Sequence, residues 1–251
     1  MKELSKSHAK FLSSLSLKKN RQKEQLFVAE GTKTVFDLLD KFEPFEIILS
    51  KNFEGSLPDG IDKEKVSVAD KKIMDYLSSL SNSPDVIGIF HLPDENDAFL
   101  ILDNKYYLLL DGIQDPGNMG TILRTADWFG FHEVILSDDC VDVFNAKTIQ
   151  ATMGSLRNVS IKRTNLNQFI GQHSEMPVIG LMLEGKDIFN TEFPKGGFVI
   201  MGNEGHGISE EIRKRITLPL YIPCYDTNRH PDSLNVGVAC GVTLALLRNK
   251  K

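Results

Sequence analysis

From residue 106 onward the chain repeats one unit: a short apolar run, a turn rich in glycine or polar residues, and a helical stretch. The apolar runs cover 106–110, 134–136, 158–162, 178–183, 198–201 and 218–222, with helical segments at about 118–129, 145–153, 209–216 and 234–248 among them. Strands separated by helices cannot pair as hairpins. The pattern therefore predicts an α/β fold with a mainly parallel sheet covered by helices on both faces. Open parallel sheets bind ligands beyond the carboxyl ends of their strands, where the strand order changes direction. Three of the runs end in turns that carry polar residues: Leu108-Leu-Leu-Asp-Gly-Ile-Gln-Asp-Pro-Gly-Asn-Met-Gly-Thr-Ile-Leu-Arg124, Val199-Ile-Met-Gly-Asn-Glu-Gly-His-Gly-Ile-Ser209, and Tyr221-Ile-Pro followed by Ser233-Leu-Asn-Val236.

The first hundred residues have a different rhythm and read as a smaller α/β unit. A helix is expected over 5–18 with Phe11, Leu12, Leu15 and Leu17 on its apolar stripe, then a strand at 26–29. Gly31-Thr32 opens a helix carrying Val35, Phe36, Leu38 and Leu39; a strand at 46–49, a helix at 73–80 and a strand at 86–90 follow. Pro93-Asp-Glu-Asn-Asp97 turns polar and marks a hinge. The expected domains are 1–97 and 106–251.

A chain of 251 residues suits one large or two modest domains. No apolar run approaches the ~20 residues that span a bilayer. The start, Met1-Lys-Glu-Leu-Ser-Lys, lacks the apolar core of a signal peptide, so a cytoplasmic location is expected. Cys140, Cys224 and Cys240 lack zinc-type spacing and read as reduced structural thiols, with no metal expected. A net charge of −5 weighs against nucleic acid, but residues 1–23 hold seven Lys/Arg against one acid, Glu3. Such an arm can neutralise phosphates; a solvated, frayed terminus explains it as well.

In the first turn Asn118 is a natural helix N-cap, and Arg124 follows six residues later. Pairing with Asp127 or Asp115 is one reading of Arg124. Phosphate binding near a helix start is the other. Ile122, Leu123, Ala126 and Phe129 can pack inward, and Gly130 suits the C-terminal cap. In Gly202-Asn-Glu-Gly-His-Gly207 the glycine spacing is neither that of a dinucleotide fold nor that of a phosphate-binding P-loop, and Glu204 is its one carboxylate. His206 reads as a solvated loop histidine and Ser209 as a cap. Ser233 and Asn235 are candidate caps of the last helix, whose Gly237, Ala239, Gly241 and Ala245 allow close approach of another backbone.

Taken together, the three segments resemble the three motifs of the SpoU (TrmH-like) family of RNA ribose 2′-O-methyltransferases in the SPOUT superfamily, over about residues 106–249. Phe27-Val-Ala-Glu-Gly31 behind a basic helix is similar to the ribosomal-protein-like RNA substrate-binding domain often fused to these enzymes. The resemblance implies a deep C-terminal trefoil knot, an exception to unknotted topology. It implies S-adenosyl-L-methionine held largely by backbone groups at Leu183, Gly202, Ile222 and Leu234, and a catalytic set of Asn118, Arg124, Glu204, Ser233 and Asn235. It also implies a homodimer in which Arg124 can enter the partner's site, with ribosomal or transfer RNA as substrate and no metal. Arg124 would hold phosphate and polarise the ribose hydroxyl, its role as base staying open, while Asn118 and Glu204 fix Arg124 and the ribose. The stretch Cys224-Tyr-Asp-Thr-Asn-Arg-His-Pro-Asp232 is longer and more charged than the usual family loop, so either Arg229 and His230 touch RNA or the insertion alters cofactor access. The alternative is an RNA-binding module of the same fold without methyltransferase activity. An unrelated nucleotide-binding α/β enzyme stands third, since both nucleotide motifs are missing.

Overall fold

The computed structural model describes residues 1–93, 100–226 and 233–249. In chain order its elements are β1 (Lys2–Glu3), α1 (Lys6–Ser13), α2 (Lys18–Glu24), β2 (Leu26–Glu30), α3 (Thr32–Leu38), β3 (Pro44–Ser50), β4 (Val66–Ala69), α4 (Lys71–Leu77), β5 (Val86–His91), β6 (Tyr106–Asp111), α5 (Pro116–Trp128), β7 (Glu133–Leu136), α6 (Ala146–Thr152), β8 (Ser160–Arg163), α7 (Leu166–Gly171), β9 (Val178–Asp187), β10 (Gly197–Gly202), α8 (Glu210–Arg213), β11 (Leu218–Tyr221) and α9 (Val236–Asn249). They form two compact units, Met1–Asp94 with Asp142–Arg157, and Glu95–Val141 with Asn158–Lys251. The expected hinge falls at residues 93–97, of which 94–97 lie outside the described residues.

In the first unit a five-stranded sheet runs β1-β4-β3-β5-β2. The strands β1 and β3 pair parallel with β4, and β5 pairs antiparallel with β3 and β2. Helix α1 starts at Ser5, whose Oγ accepts the His8 N–H at 3.2 Å, and α4 starts at Asp70, which accepts the Ile73 N–H at 2.9 Å. The basic arm is folded, and it loses one member to the interior. Arg21 is 4% exposed; it donates to the Leu15 and Ser16 carbonyls at 2.8 Å each and to Asp142 at 2.5 Å. Lys2, Lys6, Lys10, Lys18, Lys19 and Lys23 stay exposed.

Residues 142–157, which the sequence places in the later domain, pack within this first unit. Phe144 sits against Phe27 with ring centroids 4.8 Å apart, and Arg157 pairs with Asp37 at 2.9 Å. Helical periodicity announces α6 but carries no information about which core receives it.

The second unit is built on a six-stranded sheet ordered β11-β9-β10-β6-β7-β8, in which every described pairing is parallel. The chain begins in the middle with β6 and winds outward through β7 to β8. It then crosses to the other side of β6 for β9, β10 and β11. The direction of winding reverses between β6 and β10, where the register sets Gly202 beside Asp111. Tyr107, Leu109, Phe169, Phe198, Ile200 and Ile208 share one core cluster on this sheet.

One strand departs from regular pairing. Pro219 lies opposite Gly180 but Leu220 opposite Lys186, so residues 181–185 are pushed out of the ladder. A Cβ on Gly185 would come within 2.6 Å of the Pro219 carbonyl oxygen, so two backbones pass in contact there. Strands β1 and β4 and helices α2 and α7 are additions to the sequence expectations, and α8 is shorter than the 209–216 predicted. Among the described residues no helix is long and apolar enough to cross a membrane.

All three cysteines are free; Cys140 and Cys240 are buried and Cys224 is exposed. Burial pushes the Cys240 thiol up to about 12 and raises Cys140 as well. Below those raised values both stay protonated and unreactive. Iodoacetamide at pH 8 should therefore label native protein at Cys224 alone, read by peptide mass spectrometry, and unfolded protein at all three.

Candidate active site

Helix α5 follows β6 through Asp111-Gly-Ile-Gln-Asp115, and Pro116 with its fixed φ suits the first helical position. Its N-cap is Asp115, which accepts the Asn118 N–H at 2.7 Å. The expectation of Asn118 as cap is corrected accordingly. With the cap supplied three residues earlier, the Asn118 side chain is released for another task.

That task is to join the three turns. Asn118 Nδ2 donates to Glu204 Oε1 at 2.8 Å, and Asn118 Oδ1 accepts from Asn235 Nδ2 at 2.8 Å. The polarity follows from the ends: an ionised carboxylate only accepts, so the amide nitrogen faces Glu204 and leaves its oxygen for Asn235. Asn235 completes the chain by capping α9, its Oδ1 accepting the Gly237 and Val238 N–H groups at 2.9 and 3.3 Å.

Glu204 is aimed by a turn that its neighbour Asn203 clamps, a role the sequence reading missed. Asn203 Oδ1 accepts the Gly205 and His206 N–H groups at 2.8 and 3.0 Å, while its Nδ2 donates to the Gly112 carbonyl at 2.7 Å. Asn203 and Gly207 also exchange two backbone hydrogen bonds of 2.9 Å. The available signal was an asparagine starting a glycine-rich turn, where its side chain bonds backbone two residues on. Buried Asp111 adds a second tie by accepting the Ser209 N–H at 2.7 Å. Ser209 occupies the N-cap position of α8 without a side-chain cap bond, a second correction to the capping expectations. His206 is exposed, as expected.

Arg124 stands apart. Six residues of α-helix turn 600°, so its side chain leaves the helix about 120° around and about 9 Å along from Asn118. It is exposed, and among the described residues neither Asp127 nor Asp115 pairs with it. Inward packing of Ile122, Leu123 and Ala126 is complete, and Gly130 closes the helix at φ +71°. Ser233 is exposed and directly follows residues 227–232, which include Arg229 and His230 and lie outside the described residues.

Three of the proposed cofactor contacts lie on or directly after the neighbouring parallel strands β9, β10 and β11. Gly202 ends β10, Leu183 lies on the displaced part of β9 at 77% exposure, and Ile222 follows β11. Leu234, also exposed, precedes α9. The small residues of α9 meet α5 of the same chain: a Cβ on Gly237 would lie 3.0 Å from Thr121 Cγ2, and one on Gly241 3.8 Å from Thr125 Cγ2. Arg248 fastens the far end by donating to the Phe129 and Gly130 carbonyls at 2.6 Å each.

Known proteins resemble this chain along most of its length. The SpoU rRNA Methylase family matches residues 105–245, and an MRM3-like substrate binding domain matches residues 6–88. The 23S rRNA (guanosine(2553)-2′-O)-methyltransferase of Bacillus subtilis is 29% identical over 246 residues, 93% of this chain and 93% of that protein. A 23S rRNA (guanosine-2′-O-)-methyltransferase of Neisseria meningitidis is 30% identical over 196 residues, covering 74% and 77%. The crystal structure of an AdoMet-bound rRNA methyltransferase from Sinorhizobium meliloti superposes with a TM-score of 0.83 at 28% identity, covering 99% of this chain and 97% of that one.

Proposed function

The chain belongs to the SpoU rRNA methylase family, and from that membership we propose that it transfers a methyl group from S-adenosylmethionine to a ribose 2′-hydroxyl of ribosomal RNA. The observation that carries the reading is the junction at Asn118, where three separate turns meet through side-chain hydrogen bonds at the reversal point of a parallel sheet. Similarity over 93% of both chains to a 23S rRNA 2′-O-methyltransferase supports ribosomal RNA over transfer RNA.

Leu183, Gly202, Ile222 and Leu234 would hold the cofactor. When bound, S-adenosylmethionine supplies an electrophilic methyl group on a good leaving group. The remaining work for the protein is to orient the hydroxyl in line with that methyl and to ease loss of its proton. Glu204, fixed through Asn118 and the Asn203 clamp, is suited to accept a hydrogen bond from the ribose. Arg124, whose guanidinium presents a planar fork of donors, is suited to hold a phosphate and polarise the hydroxyl. Ser233 and Asn235 complete the rim.

The position of Arg124, turned away from its own Asn118–Glu204 pair, supports a homodimer in which each Arg124 serves the partner's site. The reading also includes a knotted C-terminal segment, which rests on membership of the SpoU rRNA methylase family. The first unit, through its exposed lysines, would grip RNA, and the cytoplasm is the proposed place of action.

Calorimetry with S-adenosylmethionine tests the reading against an RNA-binding module of the same fold. Saturable binding at one molecule per chain is expected. A folded protein that binds ribosomal RNA but no cofactor would overturn it.

A further inference from the structure

Four neighbouring parallel strands of the second unit, β8, β7, β6 and β10, end beside one another: the register sets Leu136 between Arg163 and Leu110, and Asp111 beside Gly202. A line of hydrogen bonds crosses these ends from strand to strand. The Arg163 guanidinium donates to the Ser137, Asp138, Cys140 and Val141 carbonyls at 2.9–3.0 Å and so shapes the loop behind β7. Buried Ser137, the first residue of that loop, accepts the Gly112 N–H on its Oγ at 2.8 Å and donates its own proton to Asp139. The Gly112 carbonyl accepts from Asn203 Nδ2 at 2.7 Å, and Asn203 holds the turn that presents Glu204 to Asn118.

Gly112 is the pivot of this line. Its φ of +71° lies in the left-handed region, and glycine has more backbone freedom than any other residue, so its orientation has to be imposed from outside. Ser137 and Asn203 impose it, one at the N–H and the other at the carbonyl. We propose that Ser137 is a positioning residue for methyl transfer: by fixing Gly112 it holds the Asn203 clamp, and through the clamp it keeps Glu204 aimed at the ribose. This inference rests on the methyltransferase reading of Glu204 and extends it to a buried side chain on the neighbouring strand end. The proposed cofactor contacts are held differently. Gly202 is kept by its strand pairing with Asp111, while Leu183 lies on β9 and Ile222 follows β11. Loss of the Ser137 hydroxyl would leave the buried Gly112 N–H unpaired and slacken the clamp without reaching them.

Methyl transfer to a 23S rRNA transcript separates positioning from plain structural support. Ser137→Ala should lower kcat about 10- to 100-fold, with the KM for the transcript and the S-adenosylmethionine affinity measured by calorimetry held near wild type. Ser137→Thr, which keeps the hydroxyl, should recover most of the loss. In a Glu204→Ala background, itself impaired, the Ser137→Ala change should cost nothing further, because the group it positions is already gone. Should Ser137→Ala fail to fold, Asp139→Ala tests the same line from an exposed position: it releases the Ser137 hydroxyl and should show the same split at smaller size. Losses that multiply in the Glu204→Ala background would overturn the positioning role and leave the methyltransferase reading standing. A fall in S-adenosylmethionine affinity in step with kcat, or full activity of Ser137→Ala, would do the same. Wild-type protein that binds transcript and cofactor but transfers no methyl would overturn both.

Discussion

Replacing Arg124 by alanine lowers methyl transfer about 10²- to 10³-fold and leaves the melting temperature within ~2 °C of the parent. The stability half follows from an exposed side chain with no described partner on a helix whose inner face is untouched by the change. The activity half follows from the proposed role, in which the Arg124 guanidinium holds a phosphate and polarises the hydroxyl. Arg124→Lys should recover little, because an ammonium offers a point charge where the planar fork offers paired donors. Mixing subunits distinguishes the proposed dimeric site from a self-contained one. Arg124→Ala and Asn118→Ala chains, each inactive alone, should regain about a quarter of wild-type activity when co-assembled at equal amounts, since half of the dimers carry one intact site. No recovery on verified co-assembly would place Arg124 in its own subunit's site.

Gly202→Ala carries the largest expected effect on folding. A Cβ there would lie 2.3 Å from both the Gly207 carbonyl carbon and the Ile208 nitrogen. Both are backbone atoms, and the segment is pinned by the Asn203–Gly207 bridge and by Asp111 on Ser209, so neither can yield cheaply. Overpacking of this kind costs up to about 3 kcal/mol, and more against backbone. A fall in melting temperature of roughly 6–12 °C is expected by calorimetry, with weaker S-adenosylmethionine binding because the same turn ends β10. A variant as stable as the parent would show that the turn relaxes freely and that Glu204 is not rigidly aimed.

The sheet was legible because its strands are continuous apolar runs between helical stretches, as in 106–110 and 198–201. Shorter elements escaped. Strand β4 is four residues, Val66-Ser-Val-Ala69, too brief to separate from a loop by periodicity, and α7 is six. The cap of α5 was misplaced by three residues although Pro116 pointed to Asp115, since proline favours the position just after a cap. At the site, residue types were readable but their connections were not. That Asn118 bonds Glu204 and Asn235, 86 and 117 residues away, depends on strand order, and a single sequence does not encode strand order locally. The separation of Arg124 from Asn118, in contrast, was available from helical geometry alone, because a six-residue offset always turns the side chain to another face.

Methylation of a ribose oxygen by this chain can be read from the RNA product itself. The direct measurement incubates purified protein with methyl-labelled S-adenosylmethionine and an unmodified 23S rRNA transcript, then digests the RNA and locates the label by nucleoside mass spectrometry. Label is expected on the ribose of a single nucleotide, alkali-resistant at its 3′ linkage, and is expected to disappear with Arg124→Ala. Label on a base, or RNA that is bound yet carries no label at all, would contradict it.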